Sequence, residues 1–338
     1  MERPSHLALI LDLSPTQWHL CGTAAEHPLA LRDFLTQTLA FVNAHLAARD
    51  ENSLVVLGAL PGKSVLLYAS NEDFSGMANV ADANSYQPFK AVDTTVMKRV
   101  IDELSSLGDI TEEEPTSLVG ALTKALCHIN RITHPPPPAN PSESPPTPPE
   151  ARILILSVSP DLSTSYIPLM NSIFSAQKLK AIIDVCKVFG PDAVFLQQAA
   201  HLTGGSYVYL LEREALLQYL IMSFLSPPMV RSILSVPTQE KIDFRAACFC
   251  HKNIIDVGYV CSVCLSIFCT PVAVCSTCRT KFPAKTVMRL RTSMPGGPPG
   301  GSSAPASRAS SPGPSPLRNG TSAPAPSSTG KPTPLRES

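Results

Sequence analysis

Four short runs rich in Leu, Ile and Val constrain this chain more than any other feature. They are "HLALILDL" at 6–13, "SLVVLGAL" at 53–60, "RILILSVS" at 152–159 and "KAIIDVCKV" at 180–188. A strand with one wet face alternates apolar with polar residues. A run that is apolar at both parities needs cover on both faces, the condition of a parallel sheet sandwiched between helices. "SVLLYAS" and "SYVYLL" read as further strands, the second after a "TGG" turn. Between the runs lie segments with helical spacing. In 29–47, Leu29, Phe34, Leu35, Leu39, Val42 and Leu46 recur every three or four residues; 116–132 repeats the pattern through Leu118, Leu122, Ala125, Ile129 and Ile132. Thr116 or Ser117 is the expected N-cap of that helix, with Pro115 and a run of acids before it. Segments 93–107, 163–177, 191–202 and 213–225 complete the helices. Strand and helix in alternation predict an α/β fold over residues 1–235: a doubly wound, mostly parallel sheet with helices on both faces.

Two stretches cannot join such a sheet. "THPPPPANPSESPPTPPE" (133–150) lacks the amide donors of a ladder and reads as an extended surface insertion. From 295 to 338 the chain is mostly Pro, Ser, Gly and Ala, too poor in large apolar residues to offset its ordering entropy, so disorder is expected. The 338 residues leave room for one sizeable domain and a small second module. Lys plus Arg and Asp plus Glu balance at 27 each. A chain built mainly to hold nucleic acid carries a basic excess, so any such contact here is expected to be at most indirect. Arg279, Lys281, Lys285, Arg289 and Arg291 form a short basic run that reads as a solvated segment. "LALILDL" is too short to span a membrane and lacks the flanks of a secretory signal, which points to an intracellular chain with reduced thiols.

Seven of the ten cysteines fall between Cys248 and Cys278, and in a reducing compartment such a cluster points to metal rather than disulfides. Cys21, Cys127 and Cys186 are scattered singly in apolar surroundings and are expected to fill the core. Cys261 with Cys264, and Cys275 with Cys278, make two C-x₂-C knuckles separated by ten residues. Four thiolates at that spacing build a closed tetrahedral Zn²⁺ site of the structural kind, predicting a zinc finger within 245–290. No thioredoxin-like βαβ frame surrounds the knuckles, which argues against a redox role. Cys248, Cys250, His251 and Cys269 form a candidate second set. Its C-x-C spacing is awkward for a cross-brace and its third pair is incomplete, so the spacing favours one zinc ion over two. The apolar residues of "LSIF" and "TPVAV" between the ligands are expected to be exposed and to want a partner surface.

Asp12, Ser14 and Thr16 alternate at the C-terminal end of the first strand, the edge where open α/β sheets place ligands. Their oxygens would suit Mg²⁺ or Mn²⁺. The pattern resembles the metal-ion-dependent adhesion motif of von Willebrand factor A domains, Asp-x-Ser-x-Ser, with Thr at the last place. "EEPTSLVGAL" supplies Thr116 where that family carries a threonine before a helix. "RILILSVSP" puts Ser157, Val158 and Ser159 where the family carries a completing Asp, and Asp161 stands out of register beyond a proline. The resemblance therefore implies a von Willebrand A-like domain with a degenerate site, metal-free, whose Asp12 and Ser14 bond neighbouring loops. No Gly-rich phosphate loop, Gly-x-Ser-x-Gly elbow or His-Glu-x-x-His is present, and His45, His128 and His201 read as isolated.

The string "KIDFRAACFCHKNIIDVGYVCSVCLSIFC", following an A-type domain of this kind, resembles the thirty-four-kilodalton subunit family of general transcription and DNA-repair factor IIH. That resemblance implies a nuclear, non-catalytic subunit of the factor IIH core. It would bind another core subunit, one with its own A-type domain and a RING-like end, and support the helicases of transcription initiation and nucleotide-excision repair. Two readings of other classes stand beside it: a RING-like ubiquitin ligase, which needs two zinc ions, and a metal-dependent adhesion module, which needs the missing Asp.

Overall fold

The computed structural model describes residues 3–71, 86–108, 114–134, 148–161, 166–231, 233–234, 242, 244–251 and 253–292. Most of the Pro-rich insertion (135–147), the tail expected to be disordered (295–338) and the expected helix start at 163 lie outside them. The first strand, β1 (Ser5–Asp12), leads into α1 (Pro15–Gly22) and α2 (Leu31–Ala48). A tight pair follows, β2 (Ser53–Ala59) and β3 (Ser64–Ala69), then α3 (Gln87–Ser105) and α4 (Leu118–Thr133). β4 (Glu150–Ser157), α5 (Tyr166–Leu179), β5 (Ile182–Lys187), α6 (Val194–Thr203) and β6 (Tyr207–Tyr209) complete the sheet layers. The strand order is β3-β2-β1-β4-β5-β6. Every pairing is parallel except β2 with β3, whose four-residue connection is too short for a crossover.

The apolar runs do what their parity demands. Leu7, Leu9 and Leu11 of β1 face a layer that includes Trp18, Phe34, Val42, Val96 and Leu216, while Ala8 and Ile10 face Leu122, Ile129, Ile173 and Leu196. β2 and β4 divide the same way, Val56 and Leu154 to the first layer and Val55 and Ile153 to the second. Each fully buried Leu or Ile contributes about 1.5–3 kcal/mol, so the two faces together fix the register. Helices form at 29–47, 116–132, 163–177 and 191–202 within three residues of the expected ends, and the helix expected at 93–107 begins earlier, at Gln87. Ser117 stands at the N-cap of α4 as expected, though its hydroxyl makes no capping bond. Segment 213–225 is not one helix. It runs as a 3₁₀ turn (Arg213–Ala215), α7 (Leu216–Tyr219) and a π-helical turn (Leu220–Leu225), before α8 (Pro228–Arg231).

That π turn ends on a buried cation. Arg152, only 2% exposed, donates to the carbonyls of Phe224, Leu225 and Ser226 and so satisfies the acceptors a helix terminus leaves open. Arg231 joins it, donating to Ser226 O (2.8 Å) and pairing with the buried Asp184 carboxylate at 2.7 Å.

A small module follows. β7 (Ala246–Ala247) pairs with β8 (Ile254–Ile255), β9 (Tyr259–Val260) pairs with β10 (Ile267–Phe268), and α9 (Ala284–Thr292) closes the described chain. The basic run predicted as a solvated segment is partly this helix: Lys285, Arg289 and Arg291 ride on it, while Val287 packs inward. Cys21 and Cys186 are buried as expected, but Cys127 is exposed on α4. Among the described residues no helix is long and apolar enough to cross a membrane.

The histidines are not isolated. His6 stacks on His128 with centroids 5.3 Å apart and its Nδ1 contacts Ser53 Oγ at 2.7 Å. His45 Nδ1 accepts from Arg152 at 3.4 Å, and His201 meets the ring of Phe244. Burial, with cationic neighbours, pushes His6 down to about 3 and His45 down to about 4. Both values lie below the ordinary 6.5, so the unfolded chain takes up these protons first as pH falls. Stability is therefore whole above pH ~6.5 and declines toward pH ~4, by up to about 1.4 kcal/mol per pH unit for each histidine. Urea unfolding at pH 7 and pH 5 should show that loss, and His45→Gln should flatten it; equal midpoints at both pH values would contradict the assignment.

Candidate functional site

The strand order reverses between β1 and β4, and the crevice outside their C-terminal ends is where such sheets place ligands. Asp12 closes β1 there and is fully buried. Its Oδ2 accepts from Val158 N (3.0 Å), Ser159 N (2.7 Å) and Ser157 Oγ (3.4 Å), and its Oδ1 accepts from Ser159 Oγ (3.0 Å). The three residues standing where the adhesion motif would have its completing carboxylate thus turn their donors onto Asp12 instead. Both oxygens of this buried carboxylate thus find donors within the chain.

A cation stands beside it that the sequence reading overlooked. Lys187, the last residue of β5, has no exposed surface, donates to Ser159 O and reaches Ser157 Oγ at 3.5 Å. Burial pushes its ammonium down to about 8, against the upward pull of Asp12, Asp161 and Asp192. Gly190, at φ +85°, lets the next loop approach: a Cβ there would stand 3.2 Å from Val158 O and 4.0 Å from the Lys187 Nζ. Asp161 accepts from Phe195 N at 2.9 Å across the first turn of α6, and burial raises its pKa.

The remaining motif residues do other work. Ser14 is the N-cap of α1, accepting from Gln17 N at 3.4 Å, with Pro15 opening the helix. That Ser-Pro pair is the sequence signal by which α1, not expected from periodicity, could be found. Trp18 of α1 donates from Nε1 to Asp12 O at 2.7 Å and so hooks the helix onto the strand end. Thr16 is exposed on the first turn of α1 and makes no hydrogen bond with Asp12 among the described residues. Thr116 bridges to Pro61 and lines a crevice of only about 30 Å³ with Ser157, Ser159 and Asp161, room for one water. A cavity of about 850 Å³ lies at the opposite end of the sheet, lined by Arg3, Arg49, Glu150, Arg152 and Lys180 among others.

The cysteines gather into two groups. The ligand atoms of Cys261, Cys264, Cys275 and Cys278 lie within 4.8 Å of one another, and so do those of Cys248, Cys250, His251 and Cys269. The incomplete third pair inferred from spacing is therefore complete in space: Cys250 and His251 both meet Cys269. In the first group the two knuckles are copies. Leu265 N donates to Cys261 O and Cys261 N to Ser266 O, both at 2.9 Å; Arg279, Cys275 and Thr280 repeat the pattern at the same distances. Leu265 and Arg279 take φ of 60° and 59°, the left-handed turn that brings the second thiol round to the first.

Sulfur separations of 3.7 Å (Cys261–Cys278) and 3.6 Å (Cys264–Cys275) are far too long for disulfides. They suit a tetrahedral ion, where Zn–S bonds of about 2.3 Å set sulfurs about 3.8 Å apart. The Ser266 hydroxyl and amide draw Cys264 down to about 6, and Thr280 lowers Cys278 in the same way, favouring the thiolate at these two positions, while Cys261 is raised. Of the apolar residues expected to be exposed, Leu265 (71%) and Val274 (47%) are, whereas Phe268 fills the centre of the module; Val263 (64%), inside the first knuckle, is exposed as well.

The sequence model of the family described as transcription factor Tfb4 matches residues 4–279, sheet domain and both cysteine groups together. The chain belongs to this family. Among its Tfb4 relatives, the general transcription and DNA repair factor IIH subunit tfb4 of Schizosaccharomyces pombe is 39% identical over 284 residues, covering 83% of this chain and 90% of that protein. The Arabidopsis thaliana subunit TFB4 is 35% identical over 285 residues, covering 82% and 89%. The general transcription factor IIH subunit 3 of Dictyostelium discoideum is 36% identical over 281 residues, covering 80% and 73%. The crystal structure of the TFIIH p34 N-terminal domain superposes with a TM-score of 0.55 at 30% identity, over 66% of this chain and 98% of that domain.

If Asp12 and Lys187 compensate each other, Asp12→Ala strands a buried ammonium and should cost about 3–5 kcal/mol. Adding Lys187→Met should then recover part of the loss in urea unfolding. A neutral Asp12→Ala, or strictly additive losses, would contradict the pairing.

Proposed function

We propose that this chain is a structural, non-catalytic subunit of factor IIH, serving RNA polymerase II transcription initiation and nucleotide-excision repair in the nucleus. The observation that carries the reading is the unbroken family match from residue 4 to 279, joining an A-type domain to the cysteine module in one unit. The chemistry of the sheet edge supports it. Where α/β enzymes hold substrates, this domain has a buried carboxylate bonded to backbone and a crevice of about 30 Å³. Such an edge offers shape and hydrogen bonds to a partner rather than a reaction chamber.

The specific partner we favour is the core subunit with its own von Willebrand A domain and RING-like end, through which the chain supports the helicases. Cys261, Cys264, Cys275 and Cys278 would hold one Zn²⁺, a closed four-thiolate centre whose contribution is folding free energy. The apolar knuckle tips Val263, Leu265 and Val274 then give the module a surface for protein contact. Both cysteine groups come together in space, so ligand count alone does not exclude a ubiquitin ligase. Family membership is what disfavours that reading now.

Affinity purification of the tagged chain from nuclear extract should recover the other factor IIH subunits in stoichiometric amounts, and the purified chain should show no autoubiquitination. Recovery without them, or ubiquitin transfer by the chain alone, would overturn the proposal. Cys264→Ser should release zinc and unfold the module while leaving the circular dichroism of the sheet domain nearly unchanged.

A further inference from the structure

Residues just ahead of the knuckles belong to the sheet domain as much as to the module. Phe244 packs on His201 of α6 with ring centroids 5.2 Å apart, and Arg245 O accepts from Gln198 Nε2 at 3.3 Å. Ala247, 1% exposed, lies in the same core cluster as Leu196, Ala199 and Ala200 of α6. The next residue is Cys248, also buried, its N–H given to Asn253 O at 2.9 Å. Phe249 N then donates to Ile267 O at 2.7 Å, crossing to β10. Within five residues the chain passes from the core of one unit into the ladder of the other.

At that crossing three thiols and an imidazole converge. Cys250 Sγ stands 3.4 Å from Cys269 Sγ, and His251 Nδ1 stands 3.2 Å from the same sulfur. The contact is too long for a disulfide. Three sulfurs and one nitrogen are the donor set of a closed structural zinc centre, in which tetrahedral geometry places sulfur about 3.6–3.8 Å from its fellow ligands. Along the chain the ligands interleave: Cys248, Cys250 and His251, then Cys261 and Cys264, then Cys269, then Cys275 and Cys278. Cys269 follows Phe268, whose ring fills the centre of the knuckle group. The two groups are therefore braced across each other and not set in series.

We propose that Cys248, Cys250, His251 and Cys269 hold a second Zn²⁺ whose role is to pin the module to α6 of the sheet domain. The knuckle ion folds the module; the second ion fixes where the module sits, because its first ligand is the residue next to Ala247. The two sites differ in exposure. Cys250 and His251 are exposed, whereas Cys261 and Cys275 are buried, so a chelator reaches the second ion first. This inference stands apart from the factor IIH assignment and from the knuckle ion, and its test separates them.

Native mass spectrometry of the full chain should find two zinc ions, with one released early to a competing chromogenic chelator. His251→Ala and Cys269→Ala should each leave one ion, the chelator-resistant one. His251→Cys, which keeps a ligand, should retain two and controls for simple misfolding. Hydrogen exchange at residues 245–248 should rise at least tenfold in His251→Ala. One zinc in the unaltered chain, or two in His251→Ala, would overturn the site. Loss of one ion with unchanged exchange at 245–248 would overturn the pinning role.

Discussion

The arrangement at the end of β1 governs what the sheet domain can do. A buried carboxylate must meet positive charge or several donors, and Asp12 meets the amides of Val158 and Ser159 and two serine hydroxyls, with the Lys187 ammonium in electrostatic reach. In a metal-dependent adhesion site that charge would be supplied by a divalent ion open to a partner's carboxylate. Here the Lys187 ammonium, at the end of a strand two places away, is drawn electrostatically by the same carboxylate. The carboxylate at the switch point of the sheet is thereby part of the core.

Much of the fold was legible because burial on two faces leaves a plain mark. Leu7 to Leu11, Leu54 to Leu57 and Ile153 to Leu156 are apolar at both parities, and only a sheet covered on both sides accepts them. The knuckles were legible because a C-x₂-C turn is a local geometry, fixed within four residues. What escaped was long-range or carried by few residues. Lys187 reads as an odd charge at the end of an apolar run until β5 is placed two strands from Asp12. Cys269 lacks a neighbour in sequence and finds three in space. The eight-residue α1 shows almost no periodicity, and its one sequence mark, the Ser-Pro start, lies within the motif read as an adhesion-like site. The stacking of His6 on His128 joins a strand to a helix far along the chain, beyond the reach of any spacing rule.

The two halves of the chain divide stability and shape between them. The sheet domain folds on burial alone, with nearly all its charge outside and a few buried cations, Arg152 and Arg231 among them, closing off carbonyls at a helix end. The module has one small cluster around Phe268, Cys261 and Cys275, too little apolar area for a fold of its own without metal. For a member of the Tfb4 family this pairs a sheet domain with a small module whose two cysteine groups could each hold a metal ion.

The claim at the centre is that the charge facing Asp12 is Lys187 and not a divalent ion. Electron paramagnetic resonance of Mn²⁺ titrated into the zinc-loaded chain tests it most directly. The account predicts that the chain binds no more Mn²⁺ than its Asp12→Ala variant does, even at millimolar metal. One equivalent of Mn²⁺ bound by the chain and lost in the variant would contradict it.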